Sequence, residues 1–280
     1  MRTMVTTGLR WVGGVLPLFF LSACDTIRPN SVAAYAPAAI ENATALGDDT
    51  DGKRMDHTAF ASVLQQFVDS KGVVNYAAMA ASPKRLQYYA FELGAIELGE
   101  YSRYEQLAIL LNAYNAFTLQ LLLEYPGVTS ILAIPEETRW DERRWRVGGL
   151  EVSLKELEHE IIRLEYMDPR IHFALAPGSK GGPKLRNEPY TGDRLNEQLD
   201  DQARFFFRQA RHMQWNPFKR TLKISKLLDW YRSDFGEDQP RLLQTIMAFV
   251  QPGQAQEMTE HFDAIRVKYL SYDWSLNGSW

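Results

Sequence analysis

The chain has 280 residues, 45% of them hydrophobic and 24% charged, proportions of an ordinary globular protein with length for one large or two small domains. Its formal charge of −4 lacks the basic excess of a nucleic-acid binder, so no nucleic acid is expected as partner. Cys24 is the only cysteine, which excludes a disulfide framework within the chain and a multi-thiolate metal site.

The N-terminus carries Arg2 and Arg10, then an apolar run from Trp11 to Ala23 that ends Leu21-Ser22-Ala23-Cys24. A basic start, a short apolar run and small residues at the cut describe a secretory signal peptide. The run contains Gly13, Gly14 and Pro17 and is too short to cross ~30 Å of hydrocarbon, which takes ~20 apolar residues. A cysteine directly after the small residues resembles a bacterial lipoprotein signal. The resemblance implies cleavage before Cys24 and a diacylglyceryl group on its thiol, so that the chain meets a membrane through lipid and no free thiol remains for catalysis. Losing Arg2 and Arg10 would move the formal charge from −4 to −6 (−4 minus 2). Asp25 resembles the enteric signal that retains lipoproteins on the periplasmic face of the inner membrane.

Residues 24–54 are rich in Ala, Pro, Asn and Asp without apolar periodicity and read as a lipidated tether and spacer. The acidic stretch Asp48, Asp49, Asp51 fails as a calcium loop, because the first and twelfth positions would fall on Gly47 and Thr58. Residues 55–280 read as one domain. Helical spacing is expected over 58–69, 83–97 and 102–124, with a short extended piece at 72–76 between the first two. Trp145–Val152 alternates around Gly148-Gly149 as a hairpin, and Ser153 with Glu156 forms a capping box opening a helix to about Tyr166. Alternation predicts a strand over 170–176, followed by a long Gly/Pro loop over 177–189. Helices are expected at 193–211, 225–233, 239–249 and 254–263, and strands at 221–224 and 265–270. The class is therefore α+β, a mostly helical domain with a small sheet of short strands.

Three stretches bear on chemistry. Asn112 and Asn115 share a face of an otherwise apolar helix, with Glu105 two turns earlier. Buried amides either bracket a neighbouring loop or line a polar pocket. The loop Ala176-Pro177-Gly178-Ser179-Lys180-Gly181-Gly182-Pro183-Lys184 has glycines that permit close backbone approach. Lys180, Lys184 and Arg186 offer charge for an anion there. The loop is neither a P-loop nor a nucleophile elbow, so Ser179 with Lys180 or His172 as base is one reading and a tight connecting loop the other. His172, on the predicted strand just before the loop, reads as a core imidazole or a catalytic one. His159-Glu160 misses the zincin pattern because Arg163 stands where the second histidine belongs. No metal or other cofactor is expected. The acid–aromatic strings Asp229-Trp230-Tyr231, Asp234-Phe235 and Tyr272-Asp273-Trp274 suit either carbohydrate stacking or ordinary packing.

Asn112-Ala113-Tyr114-Asn115-Ala116, Ser153 with Leu157-Glu158-His159, Arg170-Ile171-His172-Phe173-Ala174-Leu175, Leu185 with Tyr190, Leu199-Asp200, Ser225 with Trp230-Tyr231 and Asp234-Phe235, and Tyr272-Asp273-Trp274-Ser275-Leu276-Asn277 occur in this order. Together they resemble the domain-of-unknown-function family numbered 547, over roughly Val73 to Asn277. The resemblance implies the fold unit and no reaction. It also implies cysteines in the loop after the His-Phe-Ala-Leu stretch, where this chain has Pro177 and Gly182. A loop thiol, if the family uses one, is lacking here.

Two functions remain open on these grounds. One is a membrane-tethered binding or assembly module facing the periplasm or exterior, with an envelope peptide, glycan or protein as partner. The other is a hydrolase or transferase acting on an envelope peptide or glycan, with its site at Asn112, Asn115, His172, Ser179 and Lys180. Convergence of Asn112, Asn115 and His172 on one open cleft would favour the second; separate burial would favour the first.

Overall fold

The computed structural model describes residues 53–280. The leader over 1–23, Cys24, Asp25 and the spacer up to residue 52 lie outside the described residues. Lys53 and Arg54 are tied to the domain by ion pairs to Glu100 and Asp193.

The centre of the domain is the long apolar helix over Arg103–Leu123, and the chain builds towards it. Helix α1 (Thr58–Phe67) buries Phe60, Val63, Leu64 and Phe67, the three-and-four spacing of one helical face. Strand β1 (Val74–Asn75) leads into α2 (Tyr76–Ala81), capped by the Asn75 side chain. Helix α3 (Lys84–Ala95) packs Leu86, Tyr89 and Leu93 inward. Helix α4 (Arg103–Leu123) starts at the Ser102 cap and is buried on every side from Leu107 to Leu119. An apolar helix with no polar face belongs in a core, and here it is wrapped by the rest of the domain. Its length and hydropathy match those of a membrane span, yet 83% of its most apolar window is buried within the protein.

Strands β2 (Trp145–Val147) and β3 (Leu150–Val152) form the expected hairpin, registered Val147 to Leu150. Its two-residue turn needs positive φ twice, and Gly148 (+58°) and Gly149 (+82°) supply it. The Ser153–Glu156 capping box is formed. It opens a helical run, α5, over 154–166, whose middle, Leu157–Ile162, widens into a π-helix. Such widened turns recur at functional sites, and this one carries Glu158 and His159.

The strand expected over 170–176 is instead a 3-10 helix, Pro169–Phe173. Asp168 caps the Arg170 N–H and Pro169 occupies the first helical turn, a start signal that outweighs apparent alternation. Residues Arg170 to Ala176 are all buried, so alternation there has no solvent side to report.

Helix α6 (Leu195–Arg208) follows, then strand β4 (Met213–Asn216), which the sequence pattern missed. Strand β5 (Thr221–Ile224) pairs antiparallel with β4 and parallel with β6 (Arg266–Tyr269). Between β5 and β6 lie α7 (Leu227–Trp230), α8 (Arg232–Phe235), α9 (Gln239–Met247) and α10 (Pro252–Glu260). A final strand, β7 (Gly278–Ser279), runs parallel to β1, so the end of the chain is stitched to the first strand of the domain. The core has two clusters, one around α4 and one of Phe173, Phe206, Phe207, Leu222, Leu242 and their neighbours under the three-stranded sheet. The domain is mostly helical α+β with small sheets, as the sequence predicts.

Candidate functional site

Helix α4 spends its polar residues on neighbouring backbone. Asn112 donates to the Tyr190 carbonyl at 2.8 Å and accepts from the Tyr190 N–H at 2.9 Å. One turn later Asn115 donates to the Ala174 carbonyl at 3.1 Å and accepts from the Ala176 N–H at 2.9 Å. Each amide replaces a missing strand neighbour for a buried segment, which is the bracketing reading of these two residues. Glu105 does the same for Met55 and Gly192, accepting both N–H groups, and pairs with His57 at 3.2 Å. Burial would raise the Glu105 carboxyl, but the His57 bond and those two N–H groups outweigh it and hold it below its ordinary value.

His172 lies elsewhere in the bonding pattern. Its Nε2 is 2.8 Å from Asp234 Oδ2, and its ring stacks on Tyr231 at 3.9 Å between centroids. The Asp234 carboxylate also takes a two-pronged bond from Arg163. Burial pushes that carboxyl up, yet the Arg163 and His172 bonds win and depress it far below the usual aspartate range. Tyr231 donates its hydroxyl to Glu158, and Tyr114 lies against the same carboxylate. Burial first, and then the Glu158 charge, raise both phenols well above their ordinary value. His159 stacks on the Tyr231 ring at 5.8 Å. The Nδ1 atoms of both His159 and His172 are buried without a hydrogen-bond partner.

The glycine loop is closed by the chain's own C-terminal segment. Lys180 and Gly181 donate their N–H groups to the carbonyls of Ser275 and Asp273, and the Asn277 N–H bonds back to Gly178. A β-carbon on Gly181 would meet the Asp273 backbone at 2.6 Å, so this glycine is needed for the tail to pack, not for a ligand to approach. Ser179 Oγ pairs with the Tyr272 hydroxyl at 2.8 Å rather than with an imidazole or a lysine. Of the basic residues flanking the loop, Arg186 is engaged by Glu188 and Asp201, and Lys184 covers the Phe205 ring at 3.9 Å. Lys180 is exposed. Pro177 and Gly182 touch, since a β-carbon on Gly182 would fall 2.7 Å from the proline ring.

Asn115 therefore joins the central helix to the segment leading from His172 into the loop, while the side chains of Asn112, His172 and Ser179 each take different partners. All four are buried, at 1% to 3% exposure. The groups that do cluster are Glu158, Arg163, His172, Tyr231 and Asp234, with Ser179 and Tyr272 beside them. Asp234 and Tyr231 stand in the acid–aromatic strings of the sequence and Glu158 in the Leu157-Glu158-His159 motif, but nothing local ties them to His172. At the edge of this cluster Trp230, 37% exposed, stacks on Trp274 at 5.6 Å and meets the Tyr272 ring at a tilt at 4.8 Å. Among the described residues, no group of three His, Cys, Asp or Glu side chains is placed to hold a metal ion.

No curated protein and no solved structure matches the chain. A family model matches residues 98–207, which run from just before α4 through the hairpin, α5, the His172 segment and the glycine loop to the end of α6. Asp234, Tyr231 and Tyr272 lie beyond that stretch. The family is described as "Protein of unknown function, DUF547", and over residues 98–207 the chain is similar to it.

Proposed function

We propose that the chain is an envelope lipoprotein, held to a membrane through lipid on Cys24, whose domain binds a glycan on the aromatic face of Trp230, Tyr272 and Trp274. The observation that carries a binding role is that the nucleophile and base candidates are spent separately: Ser179 on Tyr272 and His172 on Asp234. Nucleophilic catalysis needs the two in hydrogen-bond reach of each other. The aromatic face offers flat apolar rings, and Glu158 and Asp273 are acceptors for hydroxyl groups beside it. Its test is a fluorescence titration with soluble peptidoglycan oligosaccharides. Trp230→Ala is expected to weaken binding at least about tenfold, the equivalent of ~1.4 kcal/mol. Wild-type protein that ignores the oligosaccharides, or a variant that binds as well, would remove this reading.

One observation favours the second reading, a hydrolase or transferase at the same place. The His172–Asp234 pair leaves the imidazole Nδ1 without a partner, and an orienting carboxylate on one nitrogen is how a general base is held. Turnover of those oligosaccharides by wild type, lost in His172→Gln, would decide for it.

A further inference from the structure

Phe218 is 97% exposed, more than any other large hydrophobic side chain among the described residues. It sits at the tip of the β4–β5 hairpin, in Pro217-Phe218-Lys219-Arg220. The tip is held rigidly. Asn216 Oδ1 accepts the Lys219 N–H at 2.9 Å, the Arg220 N–H returns to the Pro217 carbonyl, and Arg266 donates to the Lys219 carbonyl at 2.9 Å. An aromatic ring fixed in water at a hairpin tip is a cost with no return inside the fold.

The sheet behind the tip has a one-sided composition. Its register aligns Gln214, Lys223 and Lys268 in one row and Asn216, Thr221 and Arg266 in the next. Side chains alternate across a strand, so these rows share one face. Their partners Trp215, Leu222 and Val267 face the core instead. None of the three strands contains an acidic residue. Lys219, Arg220, Lys223, Arg266 and Lys268 take part in none of the ion pairs among the described residues, whereas most other arginines of the domain are paired. The acids that touch the sheet do so from its other face: Glu257 accepts from the Trp215 indole and Asp229 lies against Tyr269. An uncompensated basic face on a chain of formal charge −4 is a local feature, not a consequence of overall composition.

We infer that the β4–β5 tip and the outer face of the three-stranded sheet dock on an anionic lipid bilayer, with Phe218 entering the interface and Lys219, Arg220, Lys223, Arg266 and Lys268 meeting lipid phosphates. A basic surface with one protruding aromatic is the chemistry of interfacial lipid binding. Single-stranded nucleic acid would need aromatic rings on the basic face for base stacking, and the rows above carry none. The contact is separate from the aromatic face of Trp230 and does not depend on acylation of Cys24. With a lipid on Cys24 it would be a second point of attachment and would fix how the domain faces the membrane.

The experiment uses the full chain with Cys24→Ala, which removes the only thiol. Phe218→Cys is then labelled with an environment-sensitive fluorophore. The reference is Phe91→Cys, at a site on α3 that is 73% exposed. Vesicles of phosphatidylcholine with and without phosphatidylglycerol are added. The label at 218 is expected to shift to the blue and brighten several-fold with the anionic vesicles only, and the label at 91 to stay as in water. Adding Lys223→Ala and Lys268→Ala should weaken partition about fivefold for each basic residue lost, and rising salt should act in the same direction. Three outcomes would overturn the inference. They are no shift at 218, an equal shift with neutral vesicles or at 91 (as binding by the leader alone would give), and a response to single-stranded DNA in place of vesicles.

Discussion

The bracket made by Asn115 gives a sharp test of why polar residues stand in the core helix. Asn115→Ala would strand the Ala176 N–H and the Ala174 carbonyl, both on residues with under 5% exposure. Each buried backbone group left without a partner costs about 1–3 kcal/mol, so the expected loss is ~4 kcal/mol. For a domain of this size that lowers Tm by roughly 8–16 °C. The partner experiment is three residues further along α4. Thr118 is equally buried, and its Oγ1 has no hydrogen-bond partner among the described residues. Thr118→Val replaces an unused hydroxyl with a methyl of similar size and should be neutral within ~0.5 kcal/mol, or stabilising. Urea unfolding followed by tryptophan fluorescence and far-UV circular dichroism measures both. The reasoning fails if Asn115→Ala loses less than about 1 kcal/mol, or if Thr118→Val loses as much as Asn115→Ala.

His212 is buried against Phe206 at 3.9 Å, and burial, then Arg211, lower its pKa to about 3. The unfolded chain takes up this proton near 6.5 and the folded one does not, so the stabilisation is whole above pH 6.5 and is lost as pH falls towards 3. About 2 kcal/mol should be missing at pH 5 relative to pH 8, and His212→Phe should abolish that difference in denaturant titrations at the two pH values. Gly278→Ala places a β-carbon on the Val74 carbonyl oxygen and should break the β1–β7 pair; a melting temperature within 2 °C of wild type, on the order of 1 kcal/mol or less, would contradict that geometry.

The chain's local signals are enough for its longer helices and for the Gly148-Gly149 hairpin, but not for the short helix Tyr76–Ala81, where an extended piece is expected up to Tyr76. Capping at Ser153, the apolar run of α4 and the glycines at the turn are decided within a few residues of where they act. The bracketing roles of Asn112 and Asn115 were also legible as one of two readings, because an amide inside an apolar helix must find a partner. Short strands were less so. Met213–Asn216 and Gly278–Ser279 are strands because β5 and β1 lie beside them, which no local pattern encodes. Alternation over 170–176 predicts a strand where the fold has a 3-10 helix, because alternation carries information only where one face meets water. Tertiary structure alone decided the partners of His172. Asp234 is 62 residues away, and the stacking of Tyr231 and the Glu158 bond follow from how α7 and α8 pack on α5. It also decided that the glycine loop receives the C-terminal tail: Gly181 and Asp273 are far apart in sequence, and only the folded backbone brings them to contact.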